Sequence, residues 1–164
     1  MNELLKTNDS ISALMLRLTL ALTMLPHGAQ KLLGWFGGFG FDGTMGFFTG
    51  QMGLPWVIAF LVIIGESFGS LALLAGFFTR FAAASLGVIM IGAIALVHWP
   101  HGFFMNWFGK QAGEGFEYHL LVLGISAALV ISGGGRWAMD TTLARWFNNY
   151  RHGSGGIHDI GQAA

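Results

Sequence analysis

PWVIAFLVIIGESFGSLALLAGFFT, residues 55–79, carries one acid and no base from end to end. A helix needs about 20 apolar residues to cross a hydrocarbon core about 30 Å thick. Apolar residues here run continuously, without the alternation of a barrel strand, and lipid admits only structures that satisfy their own backbone. The stretch therefore reads as a transmembrane helix. Pro55 opens it, where a missing amide proton costs nothing, and Arg80 marks its stop.

Three further runs repeat the pattern, at about 11–36, 81–99 and 116–132. Asp9 or Ser10 is positioned to cap the first, Pro100 to end the third, and Gly133, Gly134 and Gly135 to close the fourth. Gly37, Gly38, Gly40 and Gly43 make the connection after the first run a loop that no helix tolerates well. Short links between four spans predict an all-α, integral membrane, antiparallel four-helix bundle. Gly65 with Gly69, and Ala83 with Gly87, provide the small-residue contacts that helices in lipid pack through. Lys6, Arg17, Arg80, Arg136, Arg145 and Arg151 fall on one side against Lys31 and Lys110 on the other, which predicts both termini in the cytoplasm. The transmembrane domain is then residues 1–140. Residues 141–164 make a cytoplasmic segment, with an amphipathic surface helix from Thr141 to Tyr150 and a Gly-rich tail in which His152 and His158 are solvated. The polar start, with Asn2, Glu3, Lys6 and Asp9, lacks the basic region and cleavage site of a signal peptide, so the first helix is expected to be retained.

Composition agrees: 54% of the residues are hydrophobic and 10% charged, where soluble domains carry about a quarter charged. Eight basic and eight acidic residues leave no footprint for nucleic acid. The absence of cysteine excludes disulfides, thiolate metal sites and thiol redox chemistry from this chain, so a redox role would use a bound cofactor.

A charge in hydrocarbon costs roughly 2.5–3.5 kcal/mol even on lenient scales, so ionisable residues at membrane depth should turn inward and find partners. His27 and Lys31 share a face at the outer end of the first span, Glu66 lies near the middle of the second, His98 ends the third with His101 beyond it, and Glu117 and His119 open the fourth. Spaced by two, Glu117 and His119 point to different faces, and Glu117 is expected to point in. Structural roles compete: Glu66 could pair with Lys31 or Arg17 merely to set helix register, His27 could bond a backbone carbonyl, and His98 and His101 could be interfacial anchors. Arg17 could snorkel to lipid phosphates or reach a carboxylate.

Aromatic rings crowd both outer loops, with Trp35, Phe36, Phe39, Phe41, Phe47 and Phe48 in the first. Phe103, Phe104, Trp107, Phe108 and Phe116 occupy the second. They read either as a belt at the headgroup level or as a lid for a flat amphipathic ligand, in which Trp35 and Phe104 would stack on a quinone, sterol or other planar lipid.

The ordered series His27-Gly28-x-x-Lys31, Gly53-Leu54-Pro55, Gly65-Glu66, His98, Gly102-Phe103-Phe104 and Glu117-Tyr118 resembles the DoxX family of small bacterial inner-membrane proteins. Arg17, Gly34, Gly38, Gly76, Thr79, Arg80, Met90, Gly133 to Arg136 and Asp140 extend the likeness from about Leu14 to Asp140. The family takes its name from a subunit of a quinone-reducing oxidoreductase, and other members are linked to membrane redox complexes. The resemblance thus implies a multi-pass protein of the inner membrane, partnered by other redox subunits or by its own copies. If it is enzymatic, the resemblance implies an oxidoreductase subunit using quinone. His27, Lys31 and Glu66 would bond the quinone oxygens or pass protons, and His98 and Glu117 would complete the polar wall. Distant relatives that look like cargo receptors or assembly chaperones keep open a non-catalytic assembly partner. A b-type haem protein with His27 and His98 as axial ligands, and transport of a small solute or proton, are further readings.

Overall fold

The computed structural model describes residues 5–153, and every regular element among them is helical. Asn2, Glu3, His158 and most of the Gly-rich tail lie outside the described residues, as do the side chains of Arg151 and His152.

Helix α1, Ile11–Leu33, starts at Ser10, whose hydroxyl accepts from the Ala13 amide at 3.2 Å. It continues through Pro26 on its exposed side and ends at Gly34, where φ is 73°. That left-handed residue ends the helix three residues before the expected 36, and Trp35–Gly37 forms a separate 3-10 turn. The glycine-rich connection is not a plain loop: Gly40–Gly46 is a short helix, α2, followed by a π turn at Phe47–Gln51. Burial overrides the poor local propensity. Met45 packs with Ala59 and Ile63, and Phe41 and Phe48 lie against them.

Helix α3, Trp56–Ala75, begins after Pro55 and ends at Gly76 with φ 68°. Helix α4, Thr79–Ala93, runs on through a π turn at Ile94–His98 and a 3-10 turn at Trp99–His101. Pro100 does not end this run. It occupies the first positions of the 3-10 turn, where no amide donor is required, and Gly102 at φ 79° makes the break. Helix α5 is Glu117–Ser132 and α6 is Met139–Gly153.

By length and composition α1, α3 and the run Thr79–His101 can each cross a membrane. Helix α5 is equally apolar but, at 16 residues, about 24 Å long. Helix α1 packs mainly on α3 and also touches α5, while α4 packs on both α3 and α5. The core between them is Leu20, Ala21, Met24, Leu73, Ala83, Leu86, Met90, Val122 and Leu129. Gly28 makes the closest crossing, because a Cβ there would lie 2.6 Å from the Ser67 Cα. Gly65 is also tight, 2.7 Å from Ile89 Cδ1, whereas Gly69 and Gly87 have ordinary room.

One end gathers the start of α1, the turn between α3 and α4, and the end of α5. Arg17 is buried there, with its Nη1 donating to Leu73 O at 2.8 Å and Leu74 O at 2.9 Å, and its Nε to Gly134 O at 2.8 Å. It neither snorkels nor bonds a carboxylate; its guanidinium fills the end of α3 and adds a charged donor to the last carbonyls. Asp140 does the converse for α4, accepting from Phe78 N at 2.6 Å and Thr79 N at 2.9 Å. Arg80 repeats the Arg17 device on α5 by donating to Val130 O, and ties in the N-terminal segment through Lys6 O at 3.0 Å.

Arg17→Met should lower stability by about 3 kcal/mol or more, since hydrogen bonds from a charged donor to buried acceptors are worth about 1.5–3 kcal/mol each. Unfolding in detergent micelles followed by circular dichroism measures this. A loss no larger than that of the exposed control Thr142→Ala would contradict the role.

Candidate functional site

The end opposite Arg17 holds the polar side chains. On α1, Ala13, Leu14, Arg17, Leu20, Ala21, Met24 and Gly28 form the buried stripe, and one turn further Lys31 extends it. On α3 the inward stripe passes through Ala59, Ile63, Glu66, Ser67, Ser70 and Leu73. Where α1 and α3 meet at Gly28 and Ser67, Ser67 Oγ donates to Gly28 O at 3.1 Å. Just beyond that contact Lys31 Nζ reaches Glu66 Oε2 at 2.5 Å. The Glu66 side chain is 5% exposed and that of Lys31 24%, so the acid is held dry while the base keeps some access to the surroundings. Ser70 Oγ donates to the Glu66 carbonyl and secures that turn.

His27 lies on the border between the buried and exposed faces of α1. Its ring centroid is 6.0 Å from that of Tyr118, and Lys31 and Glu66 both act on it electrostatically. Tyr118 hangs its hydroxyl on Met24 Sδ at 3.4 Å. His119, next to it, is buried and lies against His98, with centroids 4.0 Å apart and the planes tilted by 43°. The rings of His27, Tyr118, His119 and His98 thus form a row from α1 across α5 to the end of the α4 run.

His119, not Glu117, is the inward residue. Glu117 turns toward the loop that precedes it, and its Oε2 accepts from Met105 N at 3.2 Å. A signal for this was present in the sequence: counting back two turns from the polar Ser126 lands on His119, and the observed buried stripe is His119, Val122, Ser126 and Leu129. Parity with Glu117 alone could not decide between them. His98 is also occupied by that loop, since its Nδ1 lies 2.8 Å from Glu114 O. A carbonyl only accepts, so Nδ1 carries the proton. Glu114 Oε2 accepts from Asn106 N at 2.6 Å, and Asn106 exchanges bonds with Gln111, which gives the loop its own scaffold. His101 packs against Gly113, outside the row.

The two aromatic loops do not close over these groups. Among the described residues no ring of the first loop meets one of the second; Trp35 touches Phe36, while Phe104 touches Phe103. Trp35 is 60% exposed and Phe104 67%, so both face outward. Trp56 stacks on Phe60 and Trp99 on Phe116, each at its own side of the molecule. Among the described residues no three histidine or carboxylate side chains converge as metal ligands.

The arrangement holds an ion pair, three imidazoles on separate helical elements and a phenol beside an apolar floor of Met24, Leu86 and Met90. It can bond a polar head group and exchange protons with it. The sequence profile of the DoxX family matches residues 12–99. A protein of Bacillus subtilis (strain 168) named "Putative oxidoreductase CatD" is 30% identical over 119 residues, 73% of this chain and 78% of that one. No solved structure matches the chain.

Removing one partner of a buried ion pair strands the other, at a cost of about 3–5 kcal/mol, whereas replacing both by apolar groups is often neutral. Lys31→Met should therefore lower the thermal midpoint, and Lys31→Met with Glu66→Leu should recover most of the loss. Additive losses in the double variant would exclude a coupled pair.

Proposed function

The chain belongs to the DoxX family, and from that premise we propose that it is a quinone-associated subunit or partner of a redox complex in the bacterial inner membrane. Four helices cross the bilayer antiparallel, with both termini cytoplasmic. Helix α5 serves as the fourth span, and its first turn is tied to the loop above it by Glu117 N donating to Phe103 O at 2.9 Å. Lys6, Arg80 and Arg136 lie at the Arg17 end, which supports placing that end in the cytoplasm. The polar site then opens near the periplasmic side.

The observation that carries the quinone reading is the convergence of Lys31, Glu66, His27, Tyr118, His119 and His98 from four helices in an otherwise apolar setting. Ionisable groups at membrane depth are functional candidates by default. A quinone supplies two-electron, two-proton chemistry. His27 and Lys31 would orient its oxygens, and Glu66, held by Lys31, would exchange protons with them. His98 and Glu117 hold the loop above the site and act as positioning residues. Trp35 and Phe104 face outward and would reach a ligand only if their loops moved. The curated relative's name, an oxidoreductase, supports a redox setting.

An assembly role is the second reading, favoured by the same salt bridge: Lys31 and Glu66 satisfy each other with no ligand. The double replacement Lys31→Met, Glu66→Leu separates the two. Activity of the host complex should vanish if the pair serves a quinone or proton site, and survive if the chain only stabilises its partners.

Two measurements test the proposal. Decylubiquinol should raise the thermal midpoint of the purified protein, and His27→Ala and Glu66→Gln should remove that rise; equal behaviour of all three would sink the site. Because the chain has no cysteine, Asn8→Cys and Gln111→Cys can each report one side. In intact cells a membrane-impermeant maleimide should label Gln111→Cys alone, and the reverse pattern would invert the topology.

A further inference from the structure

We infer that His119 contacts the ligand directly and, with His27, forms its hydrogen-bonding cradle, the fitting head group being a ring whose oxygens alternate between carbonyl and hydroxyl. This deepens the quinone reading and rests on it. Nδ1 of His119 is sealed inside the protein without a hydrogen-bond partner. Among the described residues His27 has no hydrogen bond either, although it sits at the edge of the same row and acts electrostatically on His119. A buried polar nitrogen left unpaired costs about 1–3 kcal/mol, and native proteins rarely leave one without a reason. His98 does not relieve it: its ring lies against the ring of His119, and its Nδ1 proton is already given to Glu114 O.

The His119 ring is flanked by His98, tilted at 43° with centroids 4.0 Å apart, and by Tyr118, edge-on at 5.5 Å, so its remaining freedom is rotation about Cβ–Cγ. A half-turn would exchange Nδ1 with Cδ2, and such a turn is what would present a nitrogen to the ligand. Each neutral imidazole offers one donor and one acceptor. A pair of them can donate to two carbonyl oxygens or, after a change of tautomer, accept from two hydroxyls. The same cradle therefore serves oxidised and reduced forms of one ring. Lys31 alone could not do this, since an ammonium only donates and Glu66 holds it. Helices α1 and α5 touch at Met24 and Tyr118. His27 lies one turn beyond Met24 and is exposed, so a lipophilic ligand would arrive sideways between these two helices.

The test uses decylubiquinone with purified wild type, His119→Phe and His119→Gln. Phenylalanine keeps the stack and the volume but removes both nitrogens, while glutamine restores a donor and an acceptor. Expected is an apparent affinity about tenfold weaker for His119→Phe, with part of it regained in His119→Gln. Full retention of the ligand-induced thermal shift in His119→Phe would overturn the inference and leave the quinone reading intact. No shift in the wild type would sink both. Should His119→Phe fail to fold, 15N-histidine spectra of the wild type decide instead: the ligand should move the ring nitrogens of His119 as well as His27. Movement of His27 alone would exclude His119 from the cradle.

Discussion

Helix ends are the weak points of a protein that lives in lipid, because each leaves several backbone groups without partners and the solvent supplies none. In this chain three of the ends are closed by charged side chains of the matching sign. Arg17 fills the carbonyl end of α3, Arg80 that of α5, and Asp140 the amide end of α4. These contacts also join distant parts of the chain, since Arg17 and Asp140 grip the same turn from opposite directions in sequence. Glycine is required at 76 both by its positive φ and by the guanidinium, which would lie 2.8 Å from a Cβ. With this end locked, the positions of all four long helices follow.

The opposite end is built on another principle. Contact between α1 and α3 is close enough at Gly28 to bring Lys31 onto Glu66, so the salt bridge is a consequence of a backbone crossing. Beyond it the histidines and Tyr118 are organised by ring contacts and by one loop, with few hydrogen bonds of their own. Among the described residues three buried polar atoms lack a partner: Thr79 Oγ1 at the Arg17 end, Ser126 Oγ midway along α5 and His119 Nδ1 in the ring row.

Loop 102–116 links these two features. His98 and Glu117 are spent on holding it, through Glu114 O and Met105 N, while its aromatic side chains project outward. Any motion of this loop would shift His98 against His119, and the ring contact at 4.0 Å is the point where that motion would be felt in the site.

Helices long and apolar enough to cross a membrane were legible in the sequence because their signal is local: hydropathy and length need no knowledge of neighbours. Ser10, one of two candidate caps, and the inward set of Lys31 and Glu66 follow from rules of the same short range, whereas Gly34 and Gly76 end their helices short of the expected 36 and 79. Tertiary structure alone decided the rest. Met45 buried against Ala59 and Ile63 makes a helix of glycine-rich residues that propensity would leave as loop. Arg17 serves backbone carbonyls from two remote segments, which no spacing pattern encodes. His119 instead of Glu117 faces inward because α5 is apolar all round, so its orientation is set by which neighbours it meets and its own pattern marks it only faintly, through Ser126. A sequence states what each helix can bury; which side it buries depends on packing free energy shared among helices far apart in the chain.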